Sequence, residues 1–267
     1  LSIKLGLIGG GVMGEALLSR LVDRGVYAPQ AILVSEPQAE RRAFLAHTYG
    51  VQVTTENQAA TEADVLLLAI KPQLFGAVTS PLAEQIGTRS LLVLSILAGT
   101  SLSKLEAAFP NQPVVRAMPN TPATVGAGMT AIAPGIHTQP HHLAQARKIF
   151  EAVGEVVEVP EAAMDAVTGL SGSGPGYVAL MVEALADGGV AAGLPRAIAL
   201  QLALQTVKGT AQLLQSSGQH PGALKDQVTS PGGTTIAGIA ALERAGFRSA
   251  IIEAVLAADR RSQELGR

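Results

Sequence analysis

The chain has 267 residues, of which 48% are hydrophobic and 15% charged. That is enough apolar material for one large or two modest domains, and it excludes a disordered chain. A formal net charge of −2 gives no electrostatic reason to expect nucleic acid as a partner. The absence of cysteine excludes a disulfide framework, a thiol nucleophile and Cys-ligated zinc, and it suits a reducing cytoplasm.

The first part alternates short β-like runs with helical stretches. Residues 3–8 read as a buried strand, 9–14 as a turn and 15–25 as a helix stopped by Gly25. A second strand follows at 31–35, a helix at 38–49, a short strand at 51–53 and a short helix at 57–62. The continuous apolar run 65–70 has the character of a central parallel strand. Residues 91–96 and 113–117 read as further strands. This alternation predicts a Rossmann-type, doubly wound parallel α/β sheet.

The pattern changes near Pro160. From Ala162 onward no strand is expected, which leaves an all-α C-terminal part and puts the domain boundary between 160 and 161. Pro195 stands where a helix can begin. Leu200, Leu204, Val207, Ala211 and Leu214 follow a 4-3-4-3 spacing that puts them on one helical face, and Gly218 is a stop signal. Pro231 is expected to start a helix through Glu243, and residues 248–265 form the last one. No apolar run reaches the roughly 18 residues of a membrane helix, and residues 1–8 lack the basic segment of a secretion signal.

Gly9-Gly10-Gly11-Val12-Met13-Gly14 fits G-x-G-x-x-G between a strand and a helix, the context that dinucleotide binding requires. Gly9 permits the tight turn, Gly11 lets backbone approach a pyrophosphate, and Gly14 allows close helix–strand contact. The helix start adds N–H groups and partial positive charge. At the end of the second strand stands Ser35-Glu36-Pro37. Glu36 favours NADH, because a carboxylate there repels a 2′-phosphate. Ser35 with Arg41 and Arg42 leaves NADPH open, unless those arginines are simply a solvated helix face. Asn57 follows the third strand and joins the cofactor candidates.

Open α/β sheets bind ligands at the carboxyl ends of their strands. Three later loops there are candidates for the same cleft: Ala69-Ile70-Lys71-Pro72, the Leu97-Ala98-Gly99 segment, and Met118-Pro119-Asn120-Thr121-Pro122. Asn120 offers polar contacts to a carboxamide. Lys71 reads as a general acid, a cleft-lining group or a surface lysine. Arg116 reads as a strand-end anchor and Tyr177 as a packing residue. His137, His141 and His142 surround Pro140 without a second ligand cluster, so no metal site is expected.

Toward the C-terminus, Ser230-Pro231-Gly232-Gly233-Thr234-Thr235 precedes a helix. Exposed N–H groups and the helix dipole suit a carboxylate, and the threonines add hydroxyls that donate and accept. The plainer reading is an N-cap supplied by Ser230.

These segments, residues 9–14, 69–72, 116–122, 169–175, 184–189 and 226–235, resemble the pyrroline-5-carboxylate reductase family over essentially the whole chain. Gly176 stands where the family commonly has Ala, and Gln227 where Asn is found. The resemblance implies hydride transfer from NADH or NADPH to the C=N bond of 1-pyrroline-5-carboxylate, giving L-proline in the last step of proline biosynthesis. It implies that Ser230, Gly233 and Thr234 hold the substrate carboxylate. Thr235 meets the ring nitrogen as the catalytic contact, and Glu161 and Gln227 lie on the substrate side. It also implies a homodimer with interleaved helices, further assembled into decamers in many members. A neighbouring chain's cofactor then serves the substrate loop. Related β-hydroxyacid dehydrogenases carry a lysine early in the second domain, and residues 173–178 contain none. Another imine reductase, or a dinucleotide sensor without turnover, are the competing readings.

Overall fold

The computed structural model describes residues 2–87 and 89–266. The sheet region runs β1 (Leu5–Ile8), α1 (Val12–Asp23), β2 (Ile32–Ser35), α2 (Ala39–Tyr49), β3 (Gln52–Thr54), α3 (Asn57–Ala60), β4 (Val65–Leu68), α4 (Phe75–Ile86), β5 (Leu92–Ser95), α5 (Leu102–Ala108), β6 (Val114–Met118), β7 (Gly128–Pro134), α6 (Pro140–Phe150) and β8 (Gly154–Glu158). The helical region follows as α7 (Met164–Val167), a π-helical turn at Thr168–Gly172, α8 (Gly174–Ala191), α9 (Arg196–Ser217), α10 (Pro221–Gln227), α11 (Thr234–Arg244) and α12 (Phe247–Gly266). Among the described residues no strand follows β8, and no helix is long and apolar enough to cross a membrane.

The strands form one eight-stranded sheet in the order β3-β2-β1-β4-β5-β6-β7-β8. β1 to β6 pair in parallel, and the order reverses between β1 and β4, the switch point of a doubly wound fold. The sheet departs from the expected wholly parallel one beyond β6. β7 pairs antiparallel with β6, and β8 parallel with β7. A short 3-10 turn at Thr121–Val125, closed by left-handed Gly126, reverses the chain without a crossover helix. β7 and β8 start side by side, Gly128 against Gly154. A side chain at Gly154 would put its Cβ 1.9 Å from the Gly128 carbonyl oxygen.

Side chains alternate across the sheet, and both faces are covered, which is why the central strands read as unbroken apolar runs. Leu5, Leu7, Val65, Leu67, Leu94 and Val115 pack on one face with Leu17, Leu21, Ile149 and Phe150. Ile8, Leu66, Leu68, Val93 and Val114 pack on the other with Leu82, Leu105 and Phe109.

By packing, the chain divides into two compact units, one of residues up to Ser173 together with those from Ala257 on, the other Gly174–Leu256. The first unit runs past Pro160 because Met164 is fully buried in the second sheet-face cluster, with Val167 against it. The end of α12 belongs to it because the Ser262 hydroxyl donates to Asp165 Oδ1 at 2.6 Å and Lys104 Nζ donates to the Gly266 carbonyl at 2.7 Å.

In the second unit the buried set is small: Val182 and Ala186 of α8 with Ala199 and Ala203 of α9. Of the helical face expected from spacing, Val207 packs against this set. Leu200 and Leu204 of that face are exposed, and the contact with α8 centres on Ala199 and Ala203, where alanines let the helices approach closely. A Cβ on Gly189 would meet that of Ala199 at 3.0 Å. Pro231 does not begin a helix either. It lies in a turn with left-handed Gly232, and α11 starts at Thr234.

Candidate active site

β1 ends at Ile8 and the chain turns at once. Gly9 has φ +101°, and a Cβ on it would lie 2.6 Å from the Ala69 carbonyl oxygen. One on Gly14, already inside α1, would lie 2.2 Å from the Gly9 carbonyl oxygen. These two glycines are required by the turn itself. Gly11 is different. It is exposed, has nothing within 4 Å of where a Cβ would stand, and caps α1 without a side-chain hydrogen bond. The first N–H groups of a helix have no partner within it and carry partial positive charge. Here they open onto a cradle without side chains, between exposed Val12 and half-buried Met13. The arrangement fits the pyrophosphate of a dinucleotide.

The end of β2 is tied to this loop. Glu36, 7% exposed, accepts from the Gly10 N–H at 2.9 Å through Oε2 and from the Gln38 N–H at 3.0 Å through Oε1. Buried Ser35 donates its hydroxyl to Asn57 Oδ1 at 2.7 Å, joining the ends of β2 and β3. Arg41 and Arg42 are not a solvated face. Arg41 Nε donates to the Gly10 carbonyl at 2.6 Å and its guanidinium pairs with Glu15. Arg42 donates to the carbonyls of Glu36 at 2.8 Å and Pro37 at 2.7 Å. Tyr49 closes the cluster by donating to Glu15 Oε1 at 2.7 Å. Partial burial pushes the Glu15 pKa up, but hydrogen bonds from Arg41 and Tyr49 outweigh it and hold the group below the usual carboxylate value. Burial, then the bond to Glu15, pushes the Tyr49 phenol up to about 12.

The later loops lie along the same sheet edge, because parallel strands end together. Ala69 bonds through its N–H to Ile8, and Ile96 likewise to Leu68. Ala69 and Ile70 are half-buried, Lys71 and Pro72 exposed, Leu97 buried, Ala98 exposed and Gly99 left-handed at φ +71°. Met118 and Asn120 follow at the end of β6. Both ends of the Asn120 amide are engaged with backbone, Nδ2 to the Ser171 carbonyl at 3.0 Å and Oδ1 to the Met129 N–H at 2.9 Å. Glu161 is engaged as well. Its Oε1 takes Arg116 at 2.7 Å and the Leu102 N–H at 3.0 Å, while Oε2 is buried without a hydrogen-bond partner. His142 caps α6, its Nδ1 accepting from the Gln139 N–H at 3.1 Å.

In the second unit, the segment before α11 forms a tight exposed turn. The Gly233 N–H donates to the Ser230 carbonyl at 3.0 Å, and Gly233 is the N-cap, with no side-chain cap bond. The expected N-cap role of Ser230 is therefore corrected, since its backbone rather than its side chain closes the turn. Thr234 and Thr235 open α11 and are exposed, as are Ser230 and, at the end of α10, Gln227. The turn thus presents a glycine-capped helix start flanked by hydroxyls, a group of donors suited to an anion. The Tyr177 hydroxyl lies 3.3 Å from the Ala254 carbonyl, to which it donates.

A doubly wound sheet with a glycine-lined helix start after β1 and an acidic residue at the end of β2 defines the dinucleotide-dependent oxidoreductases. Within that class, a family model described as pyrroline-5-carboxylate reductase dimerisation matches residues 161–265, and one described as NADP oxidoreductase coenzyme F420-dependent matches residues 4–99. The pyrroline-5-carboxylate reductase of Synechocystis sp. is 63% identical over the full length of both chains. The chain belongs to the pyrroline-5-carboxylate reductase family. The solved structure of that enzyme from Coxiella burnetii superposes with a TM-score of 0.94 at 34% identity, covering 100% of each chain. The Plasmodium falciparum enzyme, solved with NADP bound, gives 0.89 at 31% identity, covering 99% of this chain and 98% of the other.

Sequence reasoning missed Glu15 and Tyr49. They lie 26 and 8 positions from Arg41 on either side of it, and a glutamate in a first helical turn reads only as favourable to the dipole.

Proposed function

We propose that the glycine loop and the turn before α11 serve one reaction, the reduction of 1-pyrroline-5-carboxylate to L-proline at the end of proline biosynthesis. The reduced nicotinamide, when bound, supplies the hydride. In this reading Gly9 to Gly14 hold its pyrophosphate, Ser35, Glu36 and Asn57 face the adenosine end, and the loops at 69–72, 97–99 and 118–120 line the cleft. Ser230, Gly233 and Thr234 hold the substrate carboxylate against the start of α11, and Thr235 orients the ring nitrogen. A C=N bond accepts hydride best when its nitrogen is protonated. A threonine hydroxyl is a poor acid near neutral pH, so Thr235 aligns the ring and the proton arrives with the iminium substrate or through water. We assign Glu161 to the fold, since its carboxylate already serves Arg116 and Leu102. Gln227 stays on the substrate side.

The observation that carries the reading is the glycine cap of α11, which leaves the helix start open between two threonines and Ser230. NADH is the preferred donor in this reading. The Glu36 carboxylate stands at the glycine loop, and both neighbouring arginines are spent on other partners. The helical unit also pairs with a second copy, because it leaves Leu180, Leu202 and Leu204 at 67%, 52% and 52% exposure.

Following the oxidation of NADH and of NADPH with pyrroline-5-carboxylate, and with its six-membered homologue, tests substrate and donor together. The expected result is turnover with the five-membered imine and higher kcat/KM with NADH. Thr235→Ala is expected to lower kcat/KM by about ten- to a hundred-fold, the size of a lost hydrogen bond at the reacting group, while dinucleotide affinity holds. Parental kinetics in that variant rule the role out.

A further inference from the structure

We propose that Glu15 is a positioning residue for the choice between dinucleotides: by holding Arg41 against the glycine loop it withholds a cation that a 2′-phosphate needs. The inference rests on the reading of residues 9–14 as the dinucleotide site. Arg41 reaches the place where that choice is made. Its Nε donates to the carbonyl of Gly10, the residue whose N–H is held by Glu36. In loops of this kind the acid at the end of the second strand meets the ribose hydroxyls, and an arginine nearby is what accommodates a 2′-phosphate.

Arg41 is in position but committed. Its guanidinium pairs with Glu15 and lies over the Phe44 ring, 5.1 Å from the ring centroid. Glu15 is in turn held by the Tyr49 hydroxyl at 2.7 Å, and Phe44 and Tyr49 meet edge to face. The pair is partly buried, each side chain 26% exposed. A phosphate approaching it therefore meets a neutralised cation beside two carboxylates, Glu15 and Glu36. Replacing Glu15 by a neutral isostere frees the positive charge and leaves the loop contact to Gly10 intact.

The test is steady-state kinetics with NADH and NADPH separately, with direct titration of each dinucleotide, on the parent, Glu15→Gln, Tyr49→Phe and the double variant Glu15→Gln/Arg41→Ala. Glu15→Gln is expected to raise the NADPH-to-NADH ratio of kcat/KM about ten-fold, the worth of one charge-assisted hydrogen bond, with the change carried by the KM for NADPH. Tyr49→Phe is expected to move the ratio the same way by less, and it keeps the test open should Glu15→Gln fold poorly. The double variant is expected to lose the gain. A ratio that stays at the parental value in both single variants, or a gain that survives removal of Arg41, overturns the proposal. The parental ratio itself tests the separate preference for NADH, so the two readings fail independently.

Discussion

Gly9 and Gly11 stand two positions apart in one motif, and their backbones demand opposite things. At Gly9 the φ of +101° and the Ala69 carbonyl 2.6 Å from a would-be Cβ leave no room. Gly9→Ala is expected to cost about 1–3 kcal/mol of stability through backbone strain alone, read as a lowered Tm. At Gly11 the space is empty. Gly11→Ala is expected to melt with the parent and to bind dinucleotide more weakly, because its methyl group stands where a pyrophosphate would approach. A parental dinucleotide affinity for Gly11→Ala would remove the loop from the site. The motif itself was legible in the sequence, since glycine spacing is local. The Glu15–Arg41–Tyr49 cluster was not, because side chains brought together by the fold leave no periodic trace. The reading of Arg41 and Arg42 as a solvated face failed for the same reason: the carbonyl partner of Arg41 is set by the glycine loop after β1 and those of Arg42 by the turn after β2, not by residue type.

At the scale of the element, α11 shows what a missing cap achieves. Helices usually begin with a side chain that satisfies an early N–H. Here Gly233 leaves the helix start to an external anion, and a Cβ at that position would lie 2.3 Å from Ser230 Oγ. Gly233→Ala is expected to displace that hydroxyl and raise the KM for the imine about ten-fold, while costing only about 1 kcal/mol or less of stability. An unchanged KM would detach the turn from the substrate. The sequence indicated an open helix start but misplaced its beginning by three residues, because Pro231 is as well suited to a turn as to a first helical position. β7 escaped sequence reading for a related reason. It begins at Gly128 and ends at Pro134, residues that count against a strand unless the neighbouring chain is known. Of the face of α9 read from spacing, Val207 packs against the buried α8–α9 set while Leu200 and Leu204 stay exposed, because close helix contact favours the smaller Ala199 and Ala203.

For the whole molecule, the exposed leucines of the helical unit make the association of copies measurable. Leu204, half-exposed in the single chain, should tolerate a charge if nothing covers it, since surface substitutions usually change stability by less than about 0.5 kcal/mol. Leu204→Glu is expected to fold as the parent does and to scatter light as a smaller species, with activity falling as the assembly dissociates. An unchanged mass would take this face out of the interface. The two-part architecture was legible from the loss of strands after residue 160. The return of the chain to its first unit was not, since nothing in residues 257–266 names Asp165 or Lys104 as a partner.

That return governs the order in which the protein can be completed. Asp165 must wait 97 positions for Ser262, and Lys104 must wait 162 for Gly266. A ribosome that has delivered all eight strands has therefore not delivered everything their unit contains, although both faces of the sheet are already covered by residues up to Val167. Contacts so distant along the chain slow folding, because loop entropy is lost before they form. Domains made in succession usually fold in succession. Here the earlier one can pack its core from residues 5–167 and gains its last contacts, at Asp165 and Lys104, only when the end of α12 has emerged.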